Sequence, residues 1–295
     1  MKTLCYGSLN IDLVFSVDHI AHPGETISSG AMIKSSGGKG ANQAAALAKA
    51  GMEVYMAGKI GEDGEFLLKL LESYGVCTEK IIRYEGPSGQ AIIQVDKNGQ
   101  NSIILFAGGN GLVSTGEIDH VLSIFEKNDL IVLQNEIANT DYIMKKAKDH
   151  GLRIALNPSP WNKTAEALPL ELADIFFVNE IEGACLARLE PTDSFEKIVD
   201  SLCLRFPASE IILTAGSEGA FYGCGETRAR GEALNVRAVD TTGAGDCFTG
   251  YFLASRNRGL SVQDSLNMAC RAAAIAISRE GAMESIPFRD EVFGL

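Results

Sequence analysis

The stretch GGKGANQAAALAKAGMEVYMA, residues 37–57, contains one complete unit of an alternating fold. A glycine-rich loop leads into residues 41–50, whose alanine-rich composition strongly favours a helix. Gly51 is suited to ending that helix, and the apolar run 54–57 then has the length of a buried strand. The stretch therefore predicts a loop, a helix and a strand in direct succession.

The same alternation continues on both sides of this unit. A further helix is predicted at residues 64–73, and strands at residues 3–9, 130–133, 153–156, 175–178 and 211–213. Strands that alternate with helices form parallel βαβ units, with helices on both faces of the sheet. We therefore predict an α/β fold.

Two segments interrupt the alternation. Residues 11–34 are long, contain Pro23-Gly24 and show no helical pattern. Residues 90–106 alternate apolar and polar side chains around Asn98-Gly99, a strong signal for a two-residue hairpin turn. The pattern fits a small antiparallel flap over one edge of the main sheet, and it fits two ordinary surface hairpins equally well. No repeat or linker is visible, so residues 1–295 are predicted to form a single domain.

The charge balance restricts the partners. The 295 residues include 26 Lys and Arg against 38 Asp and Glu, which gives a formal net charge of −12. So acidic a protein is repelled by nucleic acids and anionic membranes unless it carries a local basic patch, and no run of five basic residues is present. We therefore expect no nucleic-acid partner.

The sequence shows no pattern of a targeting or membrane-spanning segment. The apolar runs fall short of the roughly 18 residues that a membrane helix needs, and residues 1–12 lack a signal-peptide pattern. We expect a cytoplasmic protein with no membrane partner. The seven cysteines are odd in number, scattered and never spaced as CxxC, which favours reduced thiols over disulfides or a zinc site. No Cys or His pair lies near His19 and His22 to complete a metal cage, so a solvated loop is predicted there.

The motif DTTGAGD, residues 240–246, is the strongest chemical signal. Gly243 and Gly245 permit a tight turn and close approach by a ligand, and a helix-compatible run follows to about residue 256. The N-terminus of such a helix can hold an anion. Asp246 then lies in the first helical turn, where its carboxylate either complements the helix dipole or acts as a general base beside a phosphate. The two glycines and the flanking aspartates favour the base.

A second glycine-rich loop, GGKGAN at residues 37–42, also precedes a helix. It is not a Walker A loop, because Gly40 follows the lysine where Ser or Thr is required and Ile33 stands in place of the first glycine. Neither loop fits GxGxxG, since Gln43 or Phe248 occupies the place of the last glycine. A turn with a helix cap explains the loop, and a binding role is the alternative.

Polar residues also follow several predicted strands. In NEIE, residues 179–182, Asn179 and Glu182 have the spacing of a capping box, and Glu182 could instead hold hydrated Mg²⁺ near phosphates. Further polar residues near strand ends are Asn10, Asp12, Glu136 and Asn157. Ligands of parallel α/β sheets bind beyond the carboxyl ends of strands, so this set predicts a polar pocket.

Together these segments resemble the ribokinase branch of the PfkB carbohydrate kinase family over nearly the whole chain. GSLNID at 7–12 is similar to the opening sugar-contact segment of the family, PGET at 23–26 to its lid turn and GGKGAN at 37–42 to its first signature. NPSP at 157–160 and NEIE at 179–182 resemble two middle motifs, and DTTGAGD resembles the second signature, DTxGAGD. The resemblance implies a ribokinase-like three-layer sandwich with a mostly parallel central sheet and a small β lid, at about residues 10–35 and 89–106.

The resemblance also implies roles for individual residues. Asp246 would be the catalytic base, and the amides of Gly243, Ala244 and Gly245 the anion hole for the transferred phosphoryl group. The sugar would be bound by Asn10, Asp12, Gly38, Lys39, Asn42, Glu136 and Asp246. Asn179 and Glu182 would serve ATP and Mg²⁺, with Thr214, Gly216 and Gly219 lining the nucleotide side. The monovalent-cation site, for K⁺, would consist of Asp240, Thr242, Ala276, Arg279, Gly281 and Ser285.

The activity implied is transfer of the γ-phosphoryl group of ATP to the primary hydroxyl of a small sugar, with D-ribose as the first candidate. The lid segments would also form the contact of a homodimer. A nucleoside kinase or a kinase of another sugar is the alternative, because these enzymes share the fold and the base. A non-catalytic sugar sensor is disfavoured, because Asp246 and the glycine-rich turn are intact. Cys247 and Cys270 depart from the family, in which these positions often hold Thr and Asn or His respectively.

Overall fold

The chain forms a nine-stranded sheet covered by helices and a second sheet of four strands. The structure is a computed structural model that describes residues 1–294. The strands are β1 (Thr3–Tyr6), β2 (Asn10–Val17), β3 (Ala31–Gly37), β4 (Val54–Gly61), β5 (Cys77–Tyr84), β6 (Gly89–Asp96), β7 (Asn101–Phe106), β8 (Leu130–Gln134), β9 (Arg153–Asn157), β10 (Ile175–Asn179), β11 (Glu210–Thr214), β12 (Ala220–Cys224) and β13 (Thr227–Gly231). The helices are α1 (Lys39–Lys49), α2 (Glu65–Ser73), α3 (Thr115–Leu122), α4 (Thr140–Asp149), α5 (Lys163–Glu166), α6 (Glu180–Ala187), α7 (Phe195–Arg205), α8 (Ala244–Asn257), α9 (Val262–Ile277) and α10 (Arg289–Phe293).

The large sheet has the strand order β13-β12-β11-β10-β9-β8-β1-β4-β5. Seven neighbouring strands of this sheet pair in parallel: β11, β10, β9, β8, β1, β4 and β5. At one edge, β12 pairs antiparallel with β11, and β13 pairs antiparallel with β12. The strand order runs outward in both directions from the neighbours β1 and β8, so the direction of winding changes between them. Such a switch point opens a crevice at the carboxyl ends of the strands, where α/β proteins bind their ligands.

Hydrophobic cores on both faces of the large sheet confirm the three-layer prediction. Along β10, Ile175 and Phe177 pack into the core shared with α1, α2, α8, α9 and α10. Phe176 and Val178 point the opposite way, into the core shared with α3, α4, α6 and α7. Successive side chains of a strand face opposite sides, so a run that is apolar throughout is buried on both faces.

Two predicted boundaries differ from the structure: the helix predicted at 41–50 begins two residues earlier, and the strand predicted at 3–9 is shorter. Helix α1 begins at Lys39, and β1 ends at Tyr6 rather than at residue 9. The chain turns at residues 7–9 and enters the second sheet at Asn10. The turn is tight, because any side chain on Gly7 or Gly40 would collide with the other segment. This contact holds the start of α1 against the carboxyl end of β1.

The second sheet, here called the lid, confirms that the two interrupting segments pair with each other. Its order is β3-β2-β6-β7. The hairpin between β6 and β7 turns at the predicted place, but through three residues, 97–99, rather than two. The N–H of Gly99 donates to the carbonyl oxygen of Asp96 at 2.9 Å, and Gly99 has a φ of 79°, whereas Asn98 lacks the positive φ that a two-residue turn requires. The predicted antiparallel flap is confirmed except at its centre, where β2 and β6 pair in parallel from Asn10 with Gly89 to Val17 with Asp96. The hairpins pair antiparallel on either side of this junction.

All seven cysteines are free thiols, as predicted. None of the helices within residues 1–294 combines the length and the apolar character needed to cross a bilayer.

Candidate active site

Asp246 is buried at the third position of α8, with 5% of its surface exposed. Its Oδ2 accepts a hydrogen bond of 2.9 Å from Asn42 Nδ2, and its Oδ1 accepts one of 2.8 Å from Gln43 Nε2. These two amides hold the carboxylate in one orientation. A carboxylate has about four acceptor positions, so about two remain for a proton on a substrate.

Asn42 and Gln43 reach Asp246 because α1 and α8 cross at very short range. A side chain on Gly250 would collide with both the Cβ and the backbone of Ala46. Gly250 lies about one helical turn after Asp246, and Ala46 lies one turn after Asn42. The crossing therefore brings the N-terminal turns of both helices together, and with them the two glycine-rich loops.

Further side-chain amides hold Gln43 in the position from which it binds Asp246. Gln134 Nε2 donates to Gln43 Oε1 at 2.6 Å, and Gln43 Nε2 also lies 3.3 Å from Asn157 Oδ1. Gln134 ends β8 and Asn157 ends β9, so the carboxyl ends of two neighbouring strands orient Gln43. Sequence analysis missed Gln43 and Gln134, because neither residue belongs to a charged or metal-ligating pattern.

A polar cavity of about 270 Å³ opens over Asp246. Its lining includes the side chains of Lys39, Asn179 and Glu182 and the turn at residues 243–245. Burial by itself would lower the pKa of Lys39, but the carboxylates of Asp246, Glu136 and Glu182 outweigh burial and raise that pKa. The ammonium group is therefore charged at neutral pH and suited to meeting phosphate oxygens.

The turn before α8 presents backbone N–H groups to this cavity. The N–H of Ala244 lies 3.3 Å from the carbonyl oxygen of Thr241, a long hydrogen bond. The N–H groups of Gly243 and Gly245 form no hydrogen bond within residues 1–294. Free N–H groups at a helix N-terminus carry partial positive charge and bind anions. The predicted anion hole is thus exposed to the cavity.

Asn179 and Glu182 form the capping box that the sequence offered as one alternative. The N–H of Glu182 donates to Asn179 Oδ1 at 2.8 Å, and the N–H of Asn179 donates to Glu182 Oε2 at 3.2 Å. The capping box is compatible with the alternative role, Mg²⁺ binding, because both residues line the cavity. One carboxylate oxygen caps α6 and, among the described residues, no donor hydrogen-bonds to the other, Glu182 Oε1.

A larger and mostly apolar cavity of about 610 Å³ adjoins the first, and both are lined by Thr214, Thr241, Ala244 and Gly245. The predicted nucleotide residues Thr214, Gly216 and Gly219 all line it. Its other walls include Leu234, Val236, Phe248, Ala273 and Ile277. Apolar walls with few polar groups suit a planar base, and this cavity opens directly onto the anion hole.

On the opposite side of Asp246, the end of β1 and the start of β2 carry the predicted sugar residues. Asn10 Oδ1 accepts a hydrogen bond of 2.7 Å from Asn110 Nδ2, while Asn110 Oδ1 accepts one of 3.1 Å from the N–H of Leu9. Asn110 is buried and was missed by sequence analysis, because it lies a hundred residues away from its partner. It fixes the rotamer of Asn10.

Glu136 sits where β8 and α1 meet β1. Its Oε2 accepts hydrogen bonds from Ser8 Oγ and, at 3.1 Å, from the backbone N–H of Lys39, the first residue of α1. Burial is the main cause that raises the pKa of Glu136, and the neighbouring Lys39 ammonium opposes it. The contact ties Gly7–Leu9 to the first glycine-rich loop across the switch point.

The carboxylates of Asp12, on the lid strand β2, and of Glu284, in the C-terminal loop, influence each other through their charges. Burial, followed by the charges of Glu136 and Glu284, raises the pKa of Asp12 to about 6. Glu284 accepts hydrogen bonds of 2.9 and 3.1 Å from Ser36 Oγ, near the end of β3. Sequence analysis did not single out Glu284, which joins the C-terminal loop to the lid strand beside Asp12.

Asp240 links the two segments of the predicted cation site. Its Oδ1 accepts from the N–H of Thr242 at 2.9 Å, and its Oδ2 accepts from the N–H of Gly281 at 3.1 Å. Ser285 Oγ donates to the carbonyl oxygen of Ala282, and the N–H of Arg279 donates to the carbonyl oxygen of Ala276. The guanidinium of Arg279 pairs with Glu291, so Arg279 can face a cation only through its backbone.

A profile described as "pfkB family carbohydrate kinase" matches residues 1–289. The chain belongs to this family. It is therefore a kinase, a phosphotransferase that acts on a carbohydrate hydroxyl. The N–H groups at the start of α8, unpaired among the described residues, fit this activity.

Relatives of this PfkB kinase cover its full length. It is 32% identical over 303 residues to a ribokinase of Staphylococcus aureus, covering 99% of this chain and 98% of that protein. It is 33% identical to the bifunctional ribokinase/ribose-5-phosphate isomerase A of Fructilactobacillus sanfranciscensis, but it spans only 56% of that protein. The structure of Arabidopsis thaliana ribokinase complexed with ribose and ATP matches with a TM-score of 0.86 and 29% identity, over 99% of this chain and 97% of that chain.

The two departures from the family pattern have different positions in this PfkB kinase. Cys247 is fully buried, and burial, followed by the charge of Asp246, raises the pKa of its thiol, so a reactive thiolate beside Asp246 is disfavoured. Cys270, in contrast, lines the large apolar cavity, where its sulfur contributes to the wall. Cys270 therefore shares this cavity with the predicted nucleotide residues Thr214, Gly216 and Gly219.

Proposed function

We propose that the chain is an ATP-dependent ribokinase, which converts D-ribose and ATP into ribose 5-phosphate and ADP. The observation that carries the proposal is the carboxylate of Asp246, held by two amides beside a polar cavity of about 270 Å³ and the N–H groups that start α8. The names of the full-length relatives support ribose and ATP as the substrates.

In the proposed reaction, Asp246 accepts the proton of the primary hydroxyl of the sugar as that oxygen attacks the γ-phosphorus. The new O–P bond forms while the bond from the γ-phosphorus to the β,γ-bridging oxygen breaks, and ADP leaves with the electron pair. The transferred group spreads negative charge over its oxygens. The N–H groups of Gly243, Ala244 and Gly245 and the ammonium of Lys39 would face that charge.

Six residues other than Asp246 are proposed to bind the sugar: Asn10, Asp12, Gly38, Lys39, Asn42 and Glu136. Asn42 Oδ1 lacks a hydrogen-bond partner within the described residues, and it would accept a sugar hydroxyl if its neighbours shifted to expose it. Carboxylates accept hydroxyl protons in the same way. A site with several such groups rejects a sugar that lacks a hydroxyl, because its buried polar atoms would stay unpaired.

On the nucleotide side, we propose that Thr214, Gly216 and Gly219 bind ATP in the large apolar cavity. Asn179 and Glu182 would hold Mg²⁺ through its water shell, and the unpartnered Glu182 Oε1 fits that role. When bound, Mg²⁺ neutralises phosphate charge. ATP is the phosphoryl donor of the cytoplasm, and free thiols are typical of that compartment, which supports a cytoplasmic location.

The substrate is tested by measuring ADP release with ribose, deoxyribose, fructose, tagatose and several nucleosides. We expect the highest kcat/KM with ribose, and phosphorus NMR should identify the product as ribose 5-phosphate. A nucleoside with a higher kcat/KM would favour the alternative, a nucleoside kinase. Ribose binding without ADP release would favour a sugar sensor.

We further propose that K⁺ binds between the glycine-rich turn and the loop at residues 279–285. Asp240 already joins these two segments through Thr242 and Gly281. The backbone carbonyls of Ala276, Arg279 and Gly281, with Ser285, would complete the oxygen ligands. A cation there would hold the turn so that its amides point at the phosphoryl group before reaction, a form of preorganisation.

Potassium is therefore expected to raise turnover beyond any effect of ionic strength, and Asp240→Ala should abolish the increase. Because the net charge is −12, any salt reduces self-repulsion. The assay accordingly compares potassium with choline at equal ionic strength. Equal wild-type rates in the two salts would eliminate the cation site and leave the kinase proposal intact.

We also propose that the lid forms a homodimer contact. Met32 and Ile33 on β3 and residues 103–106 on β7 expose large apolar side chains, each about half exposed. β3 and β7 are the two edge strands of the lid, and an exposed apolar edge strand is a template for pairing with another chain. In analytical ultracentrifugation we expect a dimer for the wild type and weaker association for Ile104→Asp. Leu204→Asp on α7 removes an even more exposed apolar side chain away from the lid and should leave the dimer intact. A monomeric wild type would contradict this proposal.

A further inference from the structure

The loop between β2 and β3 brings together three potential metal ligands. His19, His22 and Glu25 each offer one ligand atom, and these atoms all lie within 4.8 Å of one another. The sequence predicted only a solvated loop here, because no second Cys or His pair lies near His19 and His22. The structure supplies a carboxylate as the third ligand instead.

Hydrogen bonds already hold this loop in a compact form. His19 Nε2 lies 2.9 Å from Glu25 Oε1 and 3.0 Å from Glu25 Oε2. The N–H of Glu25 donates to the carbonyl oxygen of His22, and the N–H of His22 donates to Glu25 Oε2, both at 3.0 Å. The N–H of Ala21 donates to Gln94 Oε1 on β6 at 3.0 Å, which anchors the loop to the lid.

The ligand set is that of a transition-metal site. Two imidazoles and one carboxylate bind Zn²⁺ in many proteins, with water in the fourth position, whereas Mg²⁺ prefers oxygen ligands. With ligand distances of about 2.0–2.2 Å, the ligand atoms of a tetrahedral site lie roughly 3.4 Å apart. His19 and Glu25 are already closer than this, and His22 is exposed and free to rotate by the remaining amount.

The loop is remote from the phosphoryl-transfer site. It follows Val17, the last residue of β2, whereas Asn10 and Asp12 lie at the other end of that strand. An eight-residue strand separates its first and last residues by roughly 23 Å. An ion bound at this loop therefore cannot contact the reacting groups near Asp246.

We propose that His19, His22 and Glu25 bind one divalent transition-metal ion, with Zn²⁺ as the best fit. The ion joins both ends of the turn at Pro23-Gly24 and fixes the loop at the tip of the lid. Its affinity is independent of sugar and nucleotide, because the site shares no residue with the two cavities.

The test uses the full-length protein without a histidine tag, freed of metal by a chelator. Zn²⁺ is added in isothermal titration calorimetry, and Co²⁺ is added in parallel while its visible absorption is recorded. We expect one equivalent of each ion to bind, with the intense absorption of a four-coordinate Co²⁺ site. Excess Mg²⁺ should not displace either ion.

Variants locate the site. His19→Ala and His22→Ala should abolish binding at concentrations that saturate the wild type, and circular dichroism checks that both variants are folded. His120→Ala provides the matched control, because His120 is also exposed but lies on α3. No binding to the wild type, or equal binding to His22→Ala and His120→Ala, would overturn the proposal.

Discussion

Replacing Asp246 with Asn is expected to lower turnover by about 10²–10⁴-fold, which is the usual effect of removing a positioned general base. The substitution preserves the size of the side chain and its place at the third position of α8. The fold should therefore remain intact, while the amide of Asn can no longer take the proton of the sugar hydroxyl. Steady-state kinetics with ribose and ATP measures the loss.

Asp264→Asn is the matched control for this variant. Asp264 occupies the same third position in α9, and its Oδ2 accepts a hydrogen bond of 2.6 Å from Ser261 Oγ, the N-cap side chain. If Asp246 only complements the dipole of its helix, both variants will lose the same small amount of stability and keep their turnover. A selective loss of turnover in Asp246→Asn distinguishes the base from a helix-end residue.

Replacing Asp12 or Glu136 with Ala is expected to weaken ribose binding by about 10- to 100-fold, because a hydrogen bond to a charged group is worth about 1.5–3 kcal/mol. Binding of ATP should change little, since neither residue lines the two cavities on the nucleotide side. Calorimetric titration with each ligand separates the two effects. Unchanged ribose affinity in both variants would place the sugar pocket elsewhere.

The acid limb of the pH profile should identify Asp12 directly. With a pKa of about 6, Asp12 is ionised above that pH and accepts hydroxyl protons, and it becomes protonated as the pH falls below it. The kcat/KM for ribose is therefore expected to fall below about pH 6. Asp12→Asn should remove this limb. Glu284→Gln removes one of the neighbouring charges that raise this pKa, so it should shift the limb to lower pH.

Much of the architecture follows from local sequence. The alanine-rich run after the first glycine-rich loop, the apolar runs of strand length and the Asn98-Gly99 turn each depend on neighbouring residues, and each forms close to its predicted place. The position of Asp246 at the start of a helix is equally local, because glycines set the turn before it. The same short-range patterns produced the resemblance to PfkB kinases.

Other features depend on contacts that local patterns do not contain. The run at residues 3–9 is apolar enough for one strand. In the structure β1 ends at Tyr6, where Gly7 packs closely against Gly40 and the chain turns toward the lid. The parallel pairing of β2 with β6 likewise joins segments that are far apart in sequence, and periodicity within either strand cannot show it.

The site itself shows the same division. The sequence by itself determined which residue types are present: a carboxylate behind a glycine-rich turn, a lysine in a second loop and polar residues at strand ends. Only the tertiary structure decided which residues orient these side chains: Gln43 orients Asp246, and Asn110 orients Asn10. It also decided that the charge of Glu284 acts on Asp12, and that Glu25 lies close to His19 and His22. The physical reason is that side-chain orientation is set by packing between distant segments, such as the crossing of α1 and α8 at Gly250, and this packing leaves no periodic signal along the chain.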